Sequence, residues 1–317
     1  MVDLVIRNGT VVTPRGRFHG GLAVQDRRIV AVGADGGLPP AHRVIDAGDR
    51  YVLPGLIDAH VHMASEEDAS IAEGLRANMP RETEGALYGG VTTFGHFVGM
   101  RNEPLQPNVR ATIEHGNRWS HVDYFLHAIL STEEHFDEQP ALWALGAVRD
   151  TERLWRAFHD GGITCLGSDH GTGGRTRPTK EKGGGRHQNI WCARSGNRGG
   201  LEHFLPVLMT SGVAAGRLSM EDVVRVGAEN TARVFGLYPR KGVLAPGADA
   251  DVVIVDPDLE ATVDDAFYHC LCEVSIYRGQ KFRGLSWTTI VRGRVMMEAR
   301  QTVGAPGWGR HVPRGAA

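Results

Sequence analysis

The chain has 317 residues, 41% of them hydrophobic and 23% charged, a composition that accommodates one large globular domain or a large and a small one. Its formal net charge of −2, from 35 basic and 37 acidic residues, lacks the basic surplus that a nucleic-acid or anionic-membrane partner requires. No apolar stretch approaches the ~20 residues of a membrane span. The start, Met1-Val-Asp-Leu-Val-Ile-Arg-Asn-Gly, lacks the basic-then-apolar order of a secretory leader. A cytoplasmic protein is therefore expected, with Cys165, Cys192, Cys270 and Cys272 as free thiols in a reducing compartment.

Residues 1–52 read as short strands. Leu4-Val-Ile-Arg and Thr10-Val-Val flank Asn8-Gly9, a hairpin signal, and the runs at Gly21, Arg28 and Val44 continue the β pattern. From Leu56 the pattern alternates. Leu56-Ile-Asp-Ala-His-Val-His is a buried strand, Thr83 to Gly90 a helix with a glycine stop, and Val91-Thr-Thr-Phe-Gly a strand. Val122 to Leu130 is a third strand, Thr151 to Gly161 an amphipathic helix and Ile163 to His170 a fourth strand. Leu201 to Ser211 and Met220 to Phe235 are helical, with Ser219 as a cap for the second. Between them, Thr172 to Arg198 is glycine- and arginine-rich without periodicity, as expected of an active-site loop. Strands return at Ala250-Asp-Val-Val-Ile-Val-Asp and Thr288 to Met297, and residues after Gly304 read as a loose tail.

Alternating strands and helices imply a parallel sheet. The expected fold class is α/β: an incomplete (β/α)8, TIM-like barrel over residues 53–236. It is inserted in a small β-sandwich built by both termini, residues 1–52 and 237–303, with a tail over 304–317.

The strongest motif is Pro54-Gly-Leu-Ile-Asp-Ala-His60-Val-His62. Residues i and i+2 of a strand share a face, and at the C-terminal end of a barrel strand that face opens into the active site. Paired imidazoles there suit a divalent metal; without the flanking motif, solvent-facing strand histidines fit equally well. The second motif is Gly167-Ser-Asp169-His170, again at a strand end. Taken alone, Asp169 reads as a turn or helix cap. Together with the histidines it reads as a metal ligand and proton acceptor.

These segments, with Gly89-Gly-Val-Thr-Thr, Gly227-Ala-Glu-Asn-Thr-Ala-Arg-Val-Phe-Gly-Leu-Tyr-Pro-Arg-Lys-Gly and Pro246-Gly-Ala-Asp-Ala-Asp-Val-Val-Ile-Val-Asp, resemble the amidohydrolase superfamily. The hydantoinase/dihydropyrimidinase branch is the best match, favoured by Gly236-Leu-Tyr-Pro-Arg-Lys-Gly and by the tail Gly307-Trp-Gly-Arg-His-Val-Pro-Arg. The resemblance implies metal-dependent hydrolysis of a cyclic amide C–N bond by metal-bound hydroxide. His60, His62 and Asp169 would be ligands, Asp169 would also shuttle the proton, and the groups near Ser195, Gly196 and Asn197 would hold the substrate's polar edge. It further implies one or two divalent ions, Zn²⁺ first with Mn²⁺ or Fe²⁺ compatible, and a homo-oligomer acting on a small hydantoin, dihydropyrimidine or related ureide.

The pattern breaks in the middle. The family's carboxylated bridging lysine and two further metal histidines cannot be mapped: no lysine lies between His62 and Asp169, and the nearest, Lys180, is beyond both. Those two residues are 107 apart (169 less 62), room for three or four βαβ units of ~30 residues rather than the full round. The join falls in Ser131 to Val148. His96 and His127, at strand ends, are substitute ligands on this reading. The alternative is a catalytically inactive scaffold of the same family, and paired half-barrels in a dimer are a third arrangement.

Overall fold

The computed structural model describes residues 1–64, 70–98, 105–128, 151–172, 199–270, 275 and 277–315. Five strands open the chain: β1 (Val2–Thr13), β2 (Gly16–Gln25), β3 (Arg28–Gly33), β4 (Ala41–Asp46) and β5 (Tyr51–Pro54). Then come β6 (Leu56–His62), α1 (Ile71–Tyr88), β7 (Val91–Val98), α2 (Leu105–Trp119), β8 (Asp123–Ala128), α3 (Thr151–His159) and β9 (His170–Gly171). Helix α4 (Gly200–Val207) widens into π-helical turns at Leu208–Val213. Helices α5 (Met220–Val224) and α6 (Asn230–Val234) are joined by another π-turn, and β10 (Val252–Thr262), β11 (Lys281–Val291), β12 (Arg294–Glu298) and β13 (Gln301–Thr302) follow.

The two ends of the chain meet in one nine-stranded sheet of order β13-β12-β11-β10-β5-β1-β2-β3, with β4 beside β1. The seam is β5 against β10, where Val52 faces Ile254 and Pro54 faces Val252 in antiparallel register. Alternation gives this sheet its own interior of Leu4, Ile6, Leu22, Ile29, Val52, Ile254 and Ile290, as in a sandwich. The other face, through Val253, Val255, Val291 and Met297, packs with Leu75 and Leu87 of α1 and Leu201 and Leu205 of α4.

Asn8-Gly9 is not a hairpin turn. β1 runs straight through it, and the chain reverses between Thr13 and Gly16 instead. Asn8 stands at φ 56 in a bulge where the β1–β2 register shifts. Its N–H donates to the Asp35 carboxylate at 3.1 Å and its side-chain amide to Asp46 Oδ2 at 2.9 Å, so side chains distant in the chain replace the ladder. Gly9 is required by close approach: a Cβ there would lie 2.5 Å from Val52 Cγ2.

The second sheet has four parallel strands among the described residues, in the order β8-β7-β6-β9, an unclosed arc of a (β/α)8-like barrel. Helix α1 is capped by Ser70, whose hydroxyl accepts from Glu73 N, and stops at Gly89. Ser219 caps α5 in a full capping box with Asp222. The expected strand from Ile163 contracts to His170–Gly171. Leu166 O still accepts from Ala59 N, but Ser168 N then turns to the Asp58 carboxylate, which interrupts the ladder until Val61 meets His170.

The tail is docked rather than loose. Gly309 N donates to Ser120 O at 2.9 Å and Val312 N to Tyr124 O at 2.7 Å, along the side of β8. Cys165 is a free thiol. Cys192, Cys272, the segment 173–198 and the join at 131–148 lie outside the described residues. No helix among the described residues is long and apolar enough to cross a membrane.

Candidate metal centre

Strand β6 builds most of the site. Its period of two places His60 and His62 on one face while Val61 points into the main core, and the β6–β7 register shifts between Asp58 and Val61. Asp58 is fully buried in β6. Burial pushes its carboxyl above the usual carboxylate range, and hydrogen bonds from Ser168 partly oppose that. Oδ1 accepts from His60 N at 3.1 Å and Ser168 N at 2.9 Å, and Oδ2 accepts from Ser168 Oγ at 2.5 Å. One carboxylate thus ties the histidine strand to the residue before Asp169.

Asp169 sits in the left-handed region at φ 54, a conformation Asp tolerates better than most residues. Its Oδ1 lies 3.2 Å from His60 Nε2 and 3.5 Å from His62 Nε2, and the two imidazole nitrogens are 3.1 Å apart. All three ligand atoms fall within 4.8 Å of one another. The imidazoles hold the Asp169 carboxyl far below its ordinary range through their hydrogen bonds, against the opposing effect of burial. Two imidazole nitrogens turned toward one carboxylate oxygen form a donor set of nitrogen and oxygen suited to a divalent cation. The next residue, His170, turns inward, fully buried, with Nε2 3.1 Å from Glu82 Oε2 at a poor hydrogen-bond angle.

The substitutes expected from sequence sit outside that trio. His96 is buried, with Nδ1 accepting from Met63 N at 3.3 Å; burial, helped by the charge of His62, pushes its pKa down to about 3. His127 has both ring nitrogens engaged: Nε2 with Ala59 O at 2.9 Å and Nδ1 with Arg314 Nη2 at 2.8 Å. Burial and then Arg314 push its pKa down to about 4. Ser195, Gly196 and Asn197 lie outside the described residues.

A second group of carboxylates, Asp123, Asp249 and Asp251, also brings its oxygens within 4.8 Å. It already contains a cation. Lys241 Nζ lies 2.6 Å from Asp123, 3.0 Å from Asp249 and 2.6 Å from Asp251. Burial, which lowers the Lys241 pKa, is outweighed by Asp123, Asp251 and Asp249, which hold it above the usual lysine range. Arg292 adds a second positive charge at 2.9 Å from Asp123. An ammonium at the centre of the trio leaves no place for a metal ion, so the His60–His62–Asp169 group is the metal candidate.

Sequence reasoning missed Asp58 as the scaffold of the site, although an acid two residues before His60 in a buried strand was a visible signal. It also missed Arg314, whose signal was only its place in the terminal Arg-His-Val-Pro-Arg.

Parallel strands with two imidazoles at the C-terminal end of β6 and a carboxylate beside them just before β9, next to a sheet made from both ends of the chain, define a hydrolase-type metal barrel. The amidohydrolase family model matches residues 108–296, more than half of the chain, and the chain belongs to that family. Over 162 residues it is 40% identical to an L-hydantoinase of Paenarthrobacter aurescens, a match that spans 51% of this chain and 34% of that protein. A D-hydantoinase of Rhizobium radiobacter is 24% identical over 452 positions that take in 96% of this chain and 97% of the relative. Since 452 less 317 is 135, at least that many aligned positions face no residue of this chain, consistent with a shortened interior. Among solved structures, a D-hydantoinase from Bacillus sp. AR9 superposes with a TM-score of 0.83 at 20% identity, covering 98% of this chain and 99% of that one. A dihydropyrimidinase from Brevibacillus agri NCHU1002 gives 0.81 at 20% identity, with 98% of each chain covered. At these identities the superpositions establish the fold alone.

Proposed function

We propose that the protein hydrolyses the C–N bond of a small cyclic amide, a hydantoin, dihydropyrimidine or related ureide, with one divalent ion, Zn²⁺, held by His60, His62 and Asp169. The observation that carries this reading is the approach of their three ligand atoms within 4.8 Å at the C-terminal end of β6. The likeness to L- and D-hydantoinases supports the substrate class.

A divalent cation held there would polarise the amide carbonyl and acidify water. The chain's own groups do the rest. Asp58 accepts from His60 N and Ser168 N, and Ser168 Oγ accepts from His170 N, so the backbone at His60 and on both sides of Asp169 is held and the ligand atoms are preset. Asp169, whose side chain is 62% exposed, can accept a proton on the substrate side and return it to the leaving nitrogen. Phe97, tilted against His60 at 4.2 Å and stacked on His62 at 5.1 Å, backs the imidazoles with an apolar ring.

Metal analysis of the purified chain, paired with a hydantoin and dihydrouracil hydrolysis assay, tests this. The expected result is about one ion per chain and turnover that a chelator removes and added Zn²⁺ restores. A chain that binds no divalent ion, or a His60→Ala/His62→Ala variant that binds it as well as the parent, overturns the reading.

A further inference from the structure

The terminal segment after Gly307 has no part in the proposed chemistry, yet hydrogen bonds anchor it along its length. Gly307 N and Gly309 N both donate to Ser120 O at 2.9 Å. Arg310 N donates to Asp123 Oδ1 at 2.8 Å and His311 N to Asn117 Oδ1 at 2.9 Å. Tyr124 N donates to Arg310 O and Val312 N to Tyr124 O, so the segment pairs in parallel with the start of β8. Val312 is buried with Ile57, Ala59, Phe125 and Phe235, and Gly315 N donates to Gly236 O. Arg314 is therefore fixed on both sides.

Its guanidinium reaches toward the metal centre. Nη2 donates to Leu126 O at 2.6 Å and to His127 Nδ1 at 2.8 Å, while the charge lies 5.1 Å from the centre of the Phe125 ring. A guanidinium has only donors, so the Nδ1 it meets must be bare. The ring proton of neutral His127 is then on Nε2, where it donates to Ala59 O at 2.9 Å. Ala59 immediately precedes His60. The His127 ring also stacks on Phe97 at 4.6 Å, and Phe97 in turn lies against both His60 and His62. One arginine thus governs two routes to the imidazoles, one through the backbone of β6 and one through stacked rings.

We propose that Arg314 is a positioning residue for the metal centre: by donating to His127 Nδ1 it fixes the imidazole proton on Nε2, and His127 then holds the Ala59 carbonyl and the Phe97 ring on which His60 and His62 rest. This rests on the metal-site reading above. It gives the docked tail a role in the chemistry, since removing groups that orient ligands typically weakens a metal site ~10–100-fold.

The test uses the full chain with Arg314→Ala and Arg314→Lys, the latter keeping a positively charged donor nitrogen. Two readouts are needed: long-range ¹H–¹⁵N spectra of His127, and Zn²⁺ and Co²⁺ affinity by titration calorimetry. The parent should show His127 protonated on Nε2 alone. Arg314→Ala should show a mixture of tautomers and bind metal at least ~10-fold more weakly, and Arg314→Lys should recover most of both. A change in stability without these two would mark a purely structural residue and overturn the inference. Unchanged His127 spectra, or unchanged affinity in Arg314→Ala, would overturn it too. A parent chain that binds no metal would instead remove the metal-site reading, a result distinct from equal binding by parent and variant.

Discussion

Lys241 Nζ lies 2.6 Å from Asp123 Oδ2, a buried ion pair that joins the root of β8 to the sheet made by the chain ends. Asp249 and Asp251 approach the same ammonium from the segment leading into β10. Removing one partner of a buried pair leaves uncompensated charge, which costs more than the pair itself contributes. Lys241→Met should therefore destabilise the fold by ~3–5 kcal/mol. Urea unfolding without added divalent metal measures it, and a loss under ~1 kcal/mol would contradict an uncompensated buried charge.

Asp169→Asn separates chemistry from folding. The site is surface-exposed and at φ 54, and Asn adopts that conformation as readily as Asp, so the backbone keeps its path. The amide retains a neutral ligand oxygen but no longer accepts a proton. Turnover on hydantoin should fall by at least ~10²–10⁴-fold. The thermal midpoint of the metal-free chain is the control and should stay close to that of the parent. Near-parental turnover with metal bound would take Asp169 out of the mechanism.

What the sequence made legible was local. His60 and His62 share a face because a strand repeats every two residues, and the Ser219 cap and the Gly89 stop follow from helix-end chemistry. The Lys241 cluster was invisible, because Asp123 is 118 residues away from Lys241 and no periodicity links them. Asn8-Gly9 misled for a related reason: the same φ > 0 preference that makes a hairpin turn also makes a bulge, and distant Asp35 and Asp46 decide between them. The tail was misread because glycine- and proline-rich composition describes backbone freedom, not the edge of β8 waiting for a partner.

Three buried histidines give stability a defined pH dependence. His96 is pushed down to about 3, by burial and then the charge of His62; His127 to about 4, by burial and then Arg314; His203 to about 4, by burial and then His170. In the unfolded chain each titrates near ~6.5. Their folded values are depressed, so the stability they contribute is complete above ~6.5 and is lost as pH falls toward 4 and 3. In that window the unfolded chain takes up protons the folded one refuses, a slope of ~1.4 kcal/mol per pH unit for each fully deferred histidine. Asp58 and Asp251, both raised by burial, Asp251 to about 6, act with the opposite sign but are two groups against three. The urea midpoint should therefore drop between pH 7 and 4.5. A midpoint flat or rising over that interval would contradict the burial of these rings.

Gly95 offers a way into the His127–Ala59 bond from the other side. It lies on β7 between the two strands that the bond connects, and a Cβ there would stand 2.4 Å from His127 Nε2 and 2.7 Å from Ala59 O. Neither can retreat easily. Ala59 O belongs to the backbone of β6, and His127 is held at Nδ1 by Arg314 and faced by Phe97 and Phe125. Gly95→Ala should therefore break the Nε2–H···O bond and cost ~1–3 kcal/mol of stability through overpacking. Because Arg314 is untouched, the His127 proton should remain on Nε2 while metal affinity falls. Arg314→Ala moves the proton, Gly95→Ala moves the ring, and loss of affinity in both identifies the hydrogen bond to Ala59 as the shared step. Parental affinity in Gly95→Ala, with the His127–Ala59 bond shown to be broken, would leave only the Phe97 stack as the route from Arg314 to the imidazoles.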